Sequence, residues 1–299
     1  MKKRGRKIVF IIAMTILALI AALFIFFRLP GSRTKTEFSD VVNSKISNAE
    51  KNSDIFTEND IKDLPLPVKK YFRHCGYLGT PKMSYMKASF ADVDFKMSES
   101  KTIKIDYIQY NFVERPERFA YIDSSIFGIP FEGLDSYQNG TGSMKGRLAK
   151  VINLFDQRGE TMDKACLVTI LAECFLYPNA VLQDYIKWEE IDDTHVKATI
   201  TYYGISASGV FTFDENGEVL SFETNDRVAT AMDGSSREIK WSAIYSDYRD
   251  VNGLKQPQVL QSIWHYPEGD SVYFNENKTG VTIEYYYTRK IRQTVQKLF

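Results

Sequence analysis

Hydrophobic and polar positions alternate in two different rhythms along this chain, and the first change of rhythm comes early. From Ile8 to Phe27 no charged residue interrupts the sequence. At about 1.5 Å of rise per residue, a helix of that length matches a hydrocarbon core of roughly 30 Å, so residues 8–27 are predicted to form a transmembrane helix. Downstream the period shortens to two. Met86, Ala88 and Phe90 alternate with polar neighbours, and the apolar register then moves to Val93, Phe95 and Met97. This pattern predicts a strand with a bulge near Ala91-Asp92. Further strands are expected over 102–112, 117–127, 130–138 and 142–149, the last two meeting at Asn139-Gly140. In the C-terminal half Val196, Ala198, Ile200 and Tyr202 face one way, against His195, Lys197, Thr199 and Thr201. Phe211 and Phe213 run into the turn Asp214-Glu215-Asn216-Gly217. Ile239, Trp241, Ala243 and Tyr245 repeat the alternation, followed by a turn near Asn252-Gly253, a strand from Leu260 to His265 and a last one carrying Val281, Ile283, Tyr285 and Tyr287.

Helical spacing appears in only two places within this β-rich region. Leu64-Pro65-Leu66-Pro67 opens a short helix carrying Val68, Tyr71 and Phe72 and stopping near Gly76. From Thr161 to about Leu176, Met162, Cys166, Ile170 and Cys174 form an apolar stripe with Leu167 and Leu171 beside it, Thr161 is a candidate N-cap, and Pro178 ends the helix. Meandering strands with so few helices predict a mainly β (α+β) fold. Its form is a curled antiparallel sheet or half-barrel, packed by a few helices and preceded by the transmembrane helix.

The expected organisation is a cytoplasmic basic tail (1–7), the membrane helix (8–27, Ile8 to Phe27), a juxtamembrane tether (28–60) with a little helix around Phe38 to Ile46, and one β-rich domain (61–299). Lys2, Lys3, Arg4, Arg6 and Lys7 precede the apolar run, against Arg28, Arg33 and Lys35 after it. The denser positive side stays cytoplasmic, which puts the C-terminal domain on the extracytoplasmic side of the cell membrane. A cleaved signal peptide is the rival reading. The run is long for one, and no small-x-small cleavage site follows Phe27.

Composition adds exclusions. Lys+Arg and Asp+Glu are each 38, so no basic excess points to nucleic acid. The 14% aromatic content, 18 Tyr and 20 Phe among it, favours strands. Cys75, Cys166 and Cys174 are too few and too unevenly spaced for a disulfide framework or a zinc site. His74, His195 and His265 lack paired ligand spacing, and the acidic run Glu189 to Asp193 lacks the calcium-loop pattern, so no metal and no cofactor are expected. Gly140, Gly142 and Gly146 do not have the G-x-G-x-x-G spacing and read as hairpin glycines. Gly142-Ser143-Met144-Lys145-Gly146 is not a hydrolase elbow, because Ser143 stands second. No catalytic residue is assigned. An enzyme would need distant groups such as Arg147, Asp247 and Tyr248 to converge, which makes a non-enzyme the favoured reading.

Several phrases together resemble a known family: Leu64-Pro65-Leu66-Pro67-Val68-Lys69-Lys70-Tyr71, Gly142-Ser143-Met144-Lys145-Gly146-Arg147, Leu171-Ala172-Glu173-Cys174-Phe175-Leu176-Tyr177-Pro178, Trp188-Glu189-Glu190-Ile191-Asp192 and Tyr245-Ser246-Asp247-Tyr248-Arg249. Their order, over roughly 64–288, is similar to an uncharacterised bacterial family of membrane-anchored domains of unknown function. That family implies no catalytic residues. At the looser level of fold, a curled sheet with helices across its open face is similar to the lipoprotein-carrier (LolA/LolB-like) half-barrels, a likeness of shape that does not fix function. The expected activity is the binding of a lipid or other hydrophobic molecule near the membrane, because aromatic strand residues are in excess, catalytic constellations are absent and the domain is tethered beside a lipid source. Lys145 and Arg147, on one strand face, are candidates to meet an anionic headgroup. Trp241, Tyr245 and Tyr248 are candidates for an aromatic wall, although burial in the core, or for Tyr248 a corner beside an Asp247–Arg249 ion pair, is the plainer reading of each. The alternative is a cell-envelope interaction scaffold with a filled core, no ligand and a protein partner.

Overall fold

The computed structural model describes residues 2–49, 54–98, 101–230 and 236–287. The side chains of Lys2, Lys3 and Arg4 in the expected basic tail, Lys51 to Ser53 of the expected tether, and residues 288–299 of the expected domain lie outside the described residues. Helix α1 (Lys2–Arg28) contains a segment long and apolar enough to cross a membrane, none of it buried against the rest of the protein. Helix α2 (Arg33–Asn48) starts on Ser32, whose hydroxyl accepts a hydrogen bond from the Lys35 N–H at 3.0 Å. Two short helices follow, α3 (Glu58–Ile61) and α4 (Leu66–His74).

Six consecutive strands come next: β1 (Tyr85–Ser98), β2 (Lys101–Phe112), β3 (Glu117–Ile126), β4 (Ile129–Gln138), β5 (Thr141–Leu148) and β6 (Ile152–Gln157). Helix α5 (Glu160–Glu173) and two 3₁₀ turns (Cys174–Leu176 and Pro178–Leu182) lead to β7 (Ile186–Glu190), β8 (His195–Tyr202), β9 (Ile205–Phe213) and β10 (Val219–Thr224). A small ribbon, β11 (Val228–Thr230) with β12 (Ser236–Glu238), stands apart from the main sheet. The chain closes with β13 (Trp241–Val251), β14 (Leu254–Tyr266), β15 (Gly269–Glu276) and β16 (Thr282–Tyr286).

All main-sheet strands pair antiparallel, in the order β6-β5-β4-β3-β2-β1-β15-β14-β13-β10-β9-β8-β7, with β16 also on β1. The two end strands, β6 and β7, do not pair with each other, so the sheet stays open. Helix α5 fills the gap by touching β4 and β5 on one arm and β8 and β9 on the other. Gly142 makes this approach possible, because a Cβ there would stand 2.7 Å from the Met162 carbonyl oxygen and 2.9 Å from Cys166 Sγ. Gly146 does the same for Phe155, whose ring would lie 2.4 Å from an added Cβ. Both glycines are thus close-packing positions rather than turn residues, a correction to the hairpin reading; the turn itself is Asn139-Gly140, both with positive φ.

The expected bulge is present: the β1–β2 register shifts between Phe90 and Val93, and Asp92 has a φ of 56°. The N-terminus of α5 departs from expectation. Its cap is Gly159 rather than Thr161, and no side chain caps it. Asp163, in the first turn of α5, instead accepts the Gly142 N–H at 2.6 Å and pins the helix to β5.

Alternation divides the long strands between two faces. On β2 and β3 the concave face carries Tyr107, Gln109, Asn111, Arg118, Ala120 and Ile122. The convex face carries Ile108, Tyr110, Phe112, Phe119 and Tyr121, and these pack on Phe38 and Val42 of α2. The stretch expected to be a tether therefore contains a helix docked on the back of the sheet.

Candidate functional site

The concave face is not filled. Between α5, the ribbon β11–β12 and the strands β1–β4 and β13–β15 lies a cleft of about 1330 Å³, open to solvent, against the roughly 300–1,000 Å³ of ordinary small-molecule pockets. Phe90, Phe95, Phe131, Phe155, Trp241 and Trp264 supply much of its wall. They come from strands far apart in sequence, which meet because the sheet curls. Met144 and Met162 add flexible apolar surface. The mouth includes Met97, Ser98, Tyr266 and Gly269, beside the β1–β2 turn and the β14–β15 turn. The β3–β4 turn at Phe127-Gly128 and the β5–β6 turn at Ala149 to Val151 lie at this same end of the sheet. So does the end of α1, since the Lys150 amine donates to the Leu29 carbonyl. Phe127 is 94% exposed and Val151 67%.

One wall of the cleft is polar and fully paired. Arg118, almost wholly buried, donates to Glu173 at 2.9 Å and Asp135 at 2.6 Å, and also to Tyr107 and Gln109. Asn111 adds a bond to Glu173 at 2.7 Å. Burial disfavours the Arg118 charge, but the carboxylates of Glu173 and Asp135 outweigh it and hold the guanidinium well above its ordinary pKa. Cys166 borders this group. Burial, reinforced by Asp135, pushes its thiol well above the ordinary value, so it remains a protonated thiol and a poor nucleophile.

A second cation lines the cleft on different terms. Arg227, between β10 and β11, has its guanidinium 4.6 Å from the Trp241 ring centroid and 5.6 Å from that of Trp264. Its Nε is buried and has no hydrogen-bond partner among the described residues. Trp241 Nε1–H donates to the Tyr273 hydroxyl at 3.1 Å, and Trp264 stacks on Tyr273 at 5.9 Å. The three rings form one braced aromatic panel.

The expected site residues separate between the two faces. Trp241 and Tyr245 line the cleft, Tyr245 also donating from its hydroxyl to the Ala172 carbonyl. Tyr248 does not line it; its hydroxyl donates to the Val219 carbonyl at 3.0 Å within the core. Lys145 and Arg147 share a strand face, but it is the convex one. Lys145 pairs with Glu37 of α2, and Arg147 donates to Thr34 at 2.9 Å. Even-numbered β5 residues face α5 and odd-numbered ones face α2, which removes these two cations from the cleft. Arg147, Asp247 and Tyr248 do not converge; Asp247 instead pairs with Arg249 at 2.6 Å. The three cysteines are buried and free, and no cluster of three or more His, Cys, Asp or Glu converges among the described residues.

Arg118 and Arg227 escaped sequence reasoning. Arg118 could have been found, because Arg118, Ala120 and Ile122 alternate on one strand and put a charge in line with apolar positions. Arg227 had no such signal; it stands between strands in a polar stretch.

Residues 54–276 match the model of a Family of unknown function (DUF6544). The chain belongs to this family. The DUF6544 span runs from α3 through β15 and includes every residue of the cleft, while α1, α2 and β16 lie outside it. No curated protein matches the sequence. Among solved structures, the chain is similar to a LolA superfamily protein from Nitrosomonas europaea, with a TM-score of 0.38 and 8% identity over 75% of this chain and 96% of that one.

Proposed function

We propose that this DUF6544 member is a membrane-anchored, extracytoplasmic module that binds a hydrophobic or lipid-like ligand in the concave cleft. The observation that carries the reading is the cleft itself, an unfilled volume of about 1330 Å³ walled by aromatic side chains. Leaving so much apolar surface uncovered works against folding stability, and a hydrophobic occupant offsets that. The open volume of the cleft favours this reading over a filled-core scaffold.

Membrane attachment is supported by α1, whose apolar segment is unburied. The positive charge ahead of it argues for a cytoplasmic N-terminus. The mouth of the cleft, the exposed Phe127 and Val151, and the end of α1 share one end of the sheet, an arrangement suited to taking a ligand from a bilayer. Native mass spectrometry of the full chain, released from membranes in mild detergent, should find a copurifying lipid-sized mass that is lost on substituting Ala243 by Phe in the cleft wall. No bound mass, together with no saturable displacement of a fluorescent fatty acid, would overturn the ligand reading. Protease protection on intact cells tests the orientation separately; a β-rich domain cut only after lysis would refute it.

A further inference from the structure

The walls of the cleft differ in how their charges are spent, and the difference bears on the chemistry of the occupant. Arg118 is committed to Asp135 and Glu173. Elsewhere in the lining, Arg158 pairs with Asp156 and Arg237 with Glu268. Among the described residues Arg227 has no carboxylate partner and leaves a buried N–H unsatisfied. Its neighbour Asp226 is unavailable: one oxygen accepts from Lys164 at 2.6 Å and the other from the Ser208 N–H at 2.7 Å. Those bonds fix the backbone that presents Arg227 to the cleft. Lys96, also in the lining, donates to Ser271 at 2.9 Å and meets no carboxylate among the described residues.

We infer that the occupant is an amphiphile with an anionic head, and that Arg227, held over Trp241 and Trp264, receives that head while the aromatic cleft takes the chain. This rests on the cleft being a ligand site. Guanidinium suits the role: it is charged at any physiological pH, it stacks on an aromatic face through its plane, and its edge N–H groups remain free to grip two oxygens of a carboxylate or phosphate at once. A buried N–H with no acceptor is rare in a folded protein and marks a place where a partner belongs. Lys96 supplies a second cation in the lining without a carboxylate partner among the described residues, and a cationic or neutral head would leave Arg227 unsatisfied.

The test compares ligands that differ only in the head. The full chain in phosphatidylcholine nanodiscs is titrated with oleate, oleyl alcohol, oleylamine, lysophosphatidate and acetate, reading tryptophan emission, with empty nanodiscs as the partition control. Oleate and lysophosphatidate should bind about tenfold or more tighter than the alcohol, oleylamine should bind worst, and acetate should give no change. In Arg227→Gln the preference for oleate over the alcohol should collapse while alcohol binding persists; Arg227→Lys should keep part of it. Equal binding of oleate and alcohol by the native chain would overturn the inference and leave the cleft reading intact. An equal loss of both ligands in Arg227→Gln would make Arg227 a prop for the tryptophans and likewise overturn it. Acetate competing as well as oleate would refute the amphiphile, and no binding by any ligand would remove the cleft reading as well.

Discussion

The two faces of strands β2–β5 are cut from the same residues by the same alternation, yet one is sealed and the other is left open. On the convex face, Tyr110 and Tyr121 meet Phe38 of α2 with ring centroids 6.0 and 5.7 Å away, and Glu117, Lys145 and Arg147 all find partners on α2. On the concave face, Tyr107 and Ile122 line the open cleft with Trp241 and Phe274, Tyr107 touching Phe274 at 5.6 Å between ring centroids. Apolar residues alone therefore do not decide what is buried; the supply of a covering element does. The chain has a helix for the back of the sheet, while α5 covers only the gap between its two end strands. The uncovered area is on the side where Arg227 lies with its buried Nε unsatisfied among the described residues.

The largest break in this comparison should come from the paired wall. Arg118→Leu would leave Glu173 and Asp135 as buried charges without their partner, at a cost of about 3–5 kcal/mol. Chemical unfolding of the detergent-solubilised chain reads this directly; a loss under about 1 kcal/mol would mean that water reaches those carboxylates. Next is the sealed face. Phe38→Ala should cost about 3 kcal/mol and make α2 a preferred site of limited proteolysis, whereas an unchanged cleavage pattern would show that α2 holds by its charges alone. On the open face, Ala243→Phe projects bulk into empty space between Trp241 and Tyr245. Ligand affinity should fall about tenfold, equivalent to about 1.4 kcal/mol, with stability changed by less than that. If unfolding free energy drops by several kcal/mol instead, the cleft at that point is already packed.

The smallest effect concerns Glu37. Partial burial opposes its charge, but the bond to Lys145 and the nearby Arg147 outweigh that and lower its pKa below the ordinary value of 4.5. A carboxylate depressed in the folded state contributes stability that is present above its unfolded pKa and is lost as pH falls through the folded one. Docking of α2 should thus hold at neutral pH and weaken below about pH 4.5. Because Glu37 is about a third exposed, Glu37→Gln should cost less than about 1 kcal/mol and abolish that acid sensitivity of α2 proteolysis. An acid response that persists in the variant would assign it to other carboxylates.

Much of this architecture was legible because local patterns carried it. The alternation in β8, the bulge at Asp92 and the Asn139-Gly140 turn each follow from a few neighbouring residues. Asp214 did as well, its Oδ1 accepting the N–H groups of residues 216, 217 and 218 at the predicted hairpin. What could not be read locally was which face of a strand looks at what. Lys145 and Arg147 were correctly expected to share a face, but only the placement of α2 reveals that the face is the outer one. The strands β6 and β15 lacked a clean alternation; Ile152 to Leu154 are exposed in succession, and β15 buries only Glu276 fully. Arg227 is a tertiary fact, created by the meeting of β10–β11 with Trp241 and Trp264.

Four residues, Leu29 to Ser32, join α1 to α2. Fully stretched, such a segment reaches roughly 14 Å, and the bond from Lys150 to Leu29 shortens even that freedom. A leash of this length turns the position of the opening into a question of angle instead of distance. Swivelling about Pro30-Gly31 could tip the mouth toward or away from whatever surrounds α1, but could not ferry it to a recipient tens of ångströms off. Any exchange by the proposed ligand site would take place within arm's reach of α1.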